Sequence, residues 1–200
     1  MVQTLNQGLK RKAKQAWWRI FIYPRDTIRA LLDLRREGGW LAIGALMGMA
    51  QVANTPLLYP GDASGAGAVF SWILLLGPLA GWALLLVGGV VAWKLGQILF
   101  RGEGAVRDIR VALGWGSMPL ILSLLLWFPL IALTWGEGFL EGLRPFLPVF
   151  GICWIWTAYC TSQGLAEAHR LRFSQGLILL ILTVSLLSLP LGMLVGPGGG

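Results

Sequence analysis

An all-α integral membrane protein, with five transmembrane helices preceded by N-terminal amphipathic interfacial helices, is the fold class the sequence predicts. Three observations carry that expectation. Of the 200 residues, 56% are apolar and only 12% are charged, with a mean hydropathy of +0.70, whereas roughly a quarter of a soluble domain is charged. Five apolar stretches approach the ~20 residues that a span requires. The basic residues also fall almost entirely in alternate connections, as they do in polytopic membrane proteins. Too little polar surface remains to coat a water-soluble globule, which excludes a soluble enzyme, a disordered tail and a small secreted disulfide scaffold.

Residues 1–38 form a basic arm. Leu5, Leu9, Ala13, Ala16 and Ile20 recur at spacings of four or three, with Trp17 and Phe21 at the edge of the stripe. Lys10, Arg11 and Lys14 occupy the other side, and Lys12 and Arg19 flank it. Such a helix lies in the headgroup plane with its apolar face buried and its cations against anionic lipid. Lys10, Arg11, Lys14, Trp17 and Trp18 are therefore the candidate lipid-surface contacts. Pro24 interrupts this helix. A second short helix is expected over about 25–37, with Ile28, Leu31 and Leu32 on one face and Gly38-Gly39 as its stop.

The five spans are expected over 39–59, 69–93, 111–135, 146–163 and 176–195, within a transmembrane domain of 39–195, and 196–200 is a glycine-rich tail. The fourth has a polar far end at Thr157, Thr161, Ser162 and Gln163. Pro78, Pro119, Pro129 and Pro190 sit inside spans, where each removes a backbone donor and is expected to kink its helix.

Of 16 Lys and Arg residues, nine precede the first span, four lie between the second and third, and two follow the fourth. The opposite side receives Arg144 together with Asp62, Glu137 and Glu141. That asymmetry predicts a cytoplasmic N-terminus and an external C-terminus. It also accounts for the net charge of +7 without nucleic acid, for which no basic groove with interleaved aromatics is present.

Chemistry-bearing motifs are scarce. His169 is the only histidine, so a two-histidine metal motif is impossible. There is no Walker loop and no G-x-S-x-G, and Gly61, Gly65 and Gly67 lie in an expected external loop with no strand before them. No acid falls in the hydrophobic core of a span, as a carboxylate proton relay would require. Cys153 and Cys160 are expected to be small buried residues rather than a disulfide, being seven residues apart on one helix. The N-terminus lacks the short apolar core of a cleavable signal peptide. No catalytic residue and no cofactor is expected.

Packing and polar contacts are better represented. Gly44-x-x-x-Gly48, Gly77-x-x-x-Gly81 and Gly192-x-x-x-Gly196 permit close helix approach, within the chain or toward a membrane-protein partner or second copy. Phe146, Phe150 and Trp154 form a core stripe in the fourth span. Gln51, Asn54, Thr55, Ser117, Ser123, Thr157 and Tyr159 suit inter-helix hydrogen bonds, with a polar pathway as the competing reading. Charged side chains gather in the two internal loops. Glu103, Arg107, Asp108, Arg110, Glu167 and His169 make up the candidate cytoplasmic interaction cluster. Pairing between the loops is expected, with a metal site from Glu103, Asp108, Glu167 and His169 as the alternative.

At these residues the chain resembles the Yip-domain family, five-span membrane proteins named for binding Ypt/Rab GTPases in eukaryotes and also common in bacteria. The likeness rests on Tyr23-Pro24-Arg25-Asp26-Thr27-Ile28-Arg29 before the first span and on Gly102-Glu103-Gly104-Ala105-Val106-Arg107-Asp108 leading to Gly114-Trp115-Gly116-Ser117-Met118-Pro119. Its third part is Trp154-x-Trp156, then Gly164-Leu165 and His169-Arg170-Leu171. A short basic arm stands where eukaryotic members carry a long partner-recruiting region. The resemblance implies a bacterial cell-membrane member and a non-enzymatic scaffold or accessory subunit that organises partner proteins or lipids. A small transporter or channel for an ion or lipid is the alternative.

Overall fold

The computed structural model describes residues 15–33, 39–54, 66–134 and 144–194. Lys10, Arg11, Lys14 and the first three residues of the apolar stripe lie outside them, as do Thr55, Gly61, Gly65 and Gly196, whereas Gly67, expected in an external loop, lies in the helix Ala66–Ala83. The described residues contain nine α-helices, one π turn and one 3-10 turn, Arg144–Phe146, and no strand.

Helix α1, Ala16–Ile22, ends at Tyr23 because Pro24 disfavours helical geometry in the residue before it. Pro24 then opens α2, Pro24–Asp33, at a position whose N–H has no helical partner to lose. Tyr23 caps the new helix, its carbonyl accepting from Thr27 N (3.0 Å) and Thr27 Oγ1 (2.7 Å). Asp26 in the first turn complements the helix dipole. Thr27, Ile28 and Leu31 are buried on one face.

Helix α3, Trp40–Ala53, follows Gly39, whose φ of 100° suits a residue without Cβ. Helix α4, Ala66–Ala83, passes through a π turn, Leu84–Gly88, into α5, Gly89–Phe100. The glycine motifs of α3 and α4 face each other. A Cβ on Gly48 would overlap the Gly77 carbonyl and the Gly81 backbone, and one on Gly81 would overlap the Gly44 carbonyl. Backbone therefore lies directly on backbone, and this pair of motifs is consumed inside the chain. Trp82 Nε1 donates to the Leu41 carbonyl at 2.9 Å across the same seam.

Helix α6, Val106–Gly116, bends at Ser117 into α7, Met118–Thr134. Ser117 donates through both N (3.2 Å) and Oγ (2.8 Å) to the Leu113 carbonyl, closing the first helix. Pro119 consequently falls in the first turn of α7 and not in a helix interior as expected, so it costs no hydrogen bond. Helix α8, Leu147–His169, carries Pro148 in its first turn and ends with Arg170 in the left-handed region, φ 57°. Leu171 N closes that end on the Ala166 carbonyl at 2.7 Å. Helix α9, Phe173–Leu194, completes the bundle.

Two helical rods are long and apolar enough to cross a bilayer alone, Phe70–Phe100 and Val106–Pro129. A third crossing is obtained if Leu147–His169 and Phe173–Ser188, bent by 110°, count together, and Trp40–Ala53 is apolar but shorter. Fourteen residues in α3 rise about 21 Å, short of a hydrocarbon core of ~30 Å. The described helices thus supply two or three crossings by this measure, and the five-span count is not established by them. Helix ends also overrun the expected spans. The second stretch runs to Phe100, the third starts at Val106 and the fourth continues to His169. Apolar runs measure bilayer thickness, whereas a helix persists through charge until a cap stops it.

Val106–Pro129 is the centre of the bundle, with 72% of its apolar window buried, against 33% for Phe70–Phe100 at the outside. Ile28, Ile43, Leu85, Ile109, Trp115 and Leu165 meet in one core. A second core joins Ala50, Ile73, Leu124, Trp127 and Phe150, with the Trp127 and Phe150 rings stacked 4.8 Å apart. Leu75, Leu125 and Ile155 are 69–73% exposed, the surface expected of residues that face lipid tails.

Candidate functional site

The charged residues converge where α2, the 101–105 loop, the start of α6 and the end of α8 meet. Glu167 reaches α2 here. Arg25 and Arg29, one helical turn apart and so on one face, both reach its carboxylate. Arg29 Nε stands 2.6 Å and Nη2 3.0 Å from it, and Arg25 Nε 2.7 Å. Burial pushes the Glu167 carboxyl up, but these two guanidiniums outweigh it and hold it below its ordinary value. The hydrogen bond to Glu167 correspondingly raises Arg29. Glu167 shares a recess with Ala105, Arg107 and Asp108, and its carboxylate pairs with Arg25 and Arg29 of α2, two cations outside the expected cluster.

His169 does meet that loop. Its ring fills a slot walled by three glycines, for a Cβ on Gly96 would overlap Nε2, one on Gly102 would lie 2.5 Å from Nδ1, and one on Gly104 would lie 3.0 Å from Nδ1. Glu103 N donates to the His169 carbonyl at 3.4 Å, and Glu103 Oε2 pairs with Arg170 Nη1 at 3.0 Å. The side chain is 1% exposed and neither ring nitrogen makes a well-formed hydrogen bond. Burial holds the imidazole below its ordinary value, and the nearby Ala92 carbonyl only partly restores it. Among the described residues no three His, Cys, Asp or Glu side chains converge closely enough to hold a metal ion.

Arg29, Asp33, Arg107, Asp108, Glu167 and Arg170 line a polar recess of about 550 Å³ between α2, α6 and α8. Arg110 stands apart. Its aliphatic stem lies on Gly89, where a Cβ would come within 2.6 Å of Cγ, and with Trp40 and Arg107 it borders a smaller recess of about 250 Å³. Five of the six expected residues therefore share one neighbourhood. Arg25, Arg29 and Arg170 were missed as members, although the i, i+4 arginines flanking the apolar face of α2 were a readable signal.

The described part of the arm's apolar stripe, Ala16 and Ile20, packs on the chain's own bundle, where the sequence predicts lipid. Ala16 and Ile20 are fully buried. Trp17 meets Trp115 edge-on at 5.9 Å, and Phe21 and Ile20 offer carbonyls to Trp156 Nε1 (3.2 Å) and Cys160 Sγ (3.6 Å). Its own bundle supplies an apolar seat, and the arm's carbonyls in turn satisfy two of the bundle's donors. Among the described arm residues, Trp18 is 80% and Ile22 71% exposed.

These features define a class, a helical membrane protein whose N-terminal helices are stapled to one end of its bundle. The chain belongs to the Yip1-domain family, whose model matches residues 18–195. No match is found among curated proteins or solved structures.

Proposed function

We propose that the chain is a five-span protein of a bacterial cell membrane, N-terminus inside and C-terminus outside, acting without catalysis as a scaffold or accessory subunit. The observation that carries this reading is the polar recess bounded by Arg29, Asp33, Arg107, Asp108, Glu167 and Arg170. It combines both signs of charge on a rigid edge where three segments are already stapled together, a surface suited to a polar protein partner. Family membership and the alternating basic connections support the membrane setting. Anionic headgroups are a second contact, through Trp18 and the basic arm.

The test is purification of the full chain from its native membrane in mild detergent, with a photo-crosslinking residue in place of Arg107 or Arg170. A stoichiometric protein partner crosslinked at both positions is expected. A chain that purifies alone and drives substrate-dependent flux in liposomes would instead establish the transporter reading.

A further inference from the structure

The smaller recess, about 250 Å³ in volume, is lined by Trp40, Arg107, Arg110 and Val111. Its charge is one-sided. Arg107 and Arg110 stand three residues apart on α6 and are neighbours on one helix face. Asp108, between them in sequence, lines the larger recess instead, with Asp33 and Glu167. Among the described residues no acid lines the smaller one.

Arg110 is held here without an answering anion. Its Cγ, Nε and Cδ run along Gly89, where a Cβ would stand 2.6, 3.3 and 3.6 Å from them. Nε is buried without a hydrogen bond, and among the described residues no carboxylate pairs with this guanidinium. The residue is nevertheless partly exposed, so its outer amines are left to face the recess that it lines. Guanidinium donors form a planar fork that matches the oxygens of a phosphate.

The depth of the recess selects the source of that phosphate. Arg110 is the last charged residue of α6, and the chain carries none from Val111 to Thr134. Trp40 opens α3, whose 14 residues carry no charge either. Both helices therefore pass from polar to apolar sequence at the recess, the headgroup level at which membrane proteins place tryptophan. Leu41 and Val90, next in the chain to Trp40 and Gly89, are 52% and 44% exposed, so apolar surface adjoins the recess and can carry acyl chains.

We infer that this recess holds the phosphate of an anionic phospholipid, bound by Arg110 and Arg107 with Trp40 beside the glycerol. The inference rests on the membrane setting of the scaffold reading but not on its protein partner, so its failure would leave a partner crosslinked at Arg170 unaffected.

The experiment reconstitutes the full chain in phosphatidylcholine liposomes that contain either a phosphatidylglycerol or a diacylglycerol, each with a diazirine at the glycerol end of one acyl chain, and maps the crosslinks by mass spectrometry. The phosphatidylglycerol probe should label residues 40–41 and 86–90, and diacylglycerol, which has no phosphate, should label them about tenfold less, the effect of losing a charge-assisted hydrogen bond. Arg110→Gln should cut the phosphatidylglycerol labelling about tenfold for the same reason, and Arg110→Lys less, because the charge stays and only the fork is lost. Lys94, exposed on α5 over the Trp93 ring, lies outside the recess. Lys94→Gln should change the labelling by less than about twofold, since solvent screens a charge at that remove. Millimolar inorganic phosphate should not compete. If Arg110→Gln does not fold, the two probes on the unaltered chain decide. Equal labelling by diacylglycerol overturns the proposal. So does labelling unchanged in Arg110→Gln, an equal loss in Lys94→Gln, or displacement by inorganic phosphate.

Discussion

At Gly48 the absence of a side chain sets the distance between two helices. Its virtual Cβ overlaps the Gly77 and Gly81 backbones, which cannot rotate away as a side chain would. Gly48→Ala should therefore cost about 3 kcal/mol, at the upper end of overpacking penalties, as a lowered unfolding midpoint in detergent. Gly151 provides the contrast, since nothing lies within 4 Å of its Cβ position. Gly151→Ala should leave stability unchanged or raise it by up to ~1 kcal/mol. Sequence alone shows Gly44, Gly48, Gly77 and Gly81 as four glycines in a common membrane pattern. Only the packing shows that they oppose each other, because helix pairing is not written in either helix. Glu167 is a second such residue. Its side chain is 13% exposed but its arginine partners are 44% and 54% exposed, so solvent screening leaves Glu167→Ala a cost of about 1 kcal/mol. The visible result should be faster amide exchange in α2, with Arg29→Ala adding less on top of it than alone.

On the scale of elements, the junction of α5 with α8 depends on a neutral His169 in its glycine slot. The folded imidazole titrates below its ordinary value of 6.5, so the unfolded chain takes up the proton first. The stability from burying it is present above about pH 6.5 and lost as pH falls through the lowered folded value. Glu167, depressed below 4.5, likewise loses its contribution on acidification, but in a lower window. The groups nearest the slot are Glu103 and Arg170, which pair with each other. Acidification from pH 7.5 to 5.5 should accelerate exchange in 101–105 before it affects α2. In His169→Gln that first step should vanish. The expected loop contact was legible from the charges of 101–110 and 167–172, yet the slot was not: Gly96, Gly102 and Gly104 are dispersed over two segments and carry no pattern until the chain folds.

At the scale of the whole molecule, the proposed five-span orientation yields a labelling prediction. With Cys153 and Cys160 replaced by alanine, a cysteine at position 65 should react only from outside and one at Ala105 only from inside. Ala105 is exposed, whereas a Cβ on its neighbour Gly104 would stand 2.5 Å from the Ala168 carbonyl, leaving no room for a probe. Reaction of both from the same face would sink the five-span arrangement, including the crossing assigned to the short α3.

Composition and periodicity were enough for an all-helical chain of membrane character, because burial in lipid demands long apolar runs and internally satisfied backbone; the family resemblance came from motifs around Pro24, Gly102–Pro119 and His169. They were also enough for the apolar faces of α1 and α2, since a 3.6-residue period shows in any window. What covers those faces was decided by tertiary structure. The stripe through Ala16 and Ile20 could have met lipid, and it meets Trp156 and Cys160 because that seat also satisfies two donors. Tertiary structure likewise chose Arg25 and Arg29 as the partners of Glu167, placed Pro119 at a helix start, and seated Thr161 against Gly116. Each of those outcomes depends on which helices touch, a long-range choice set by shape and hydrogen-bond satisfaction together, and no local window of sequence contains it.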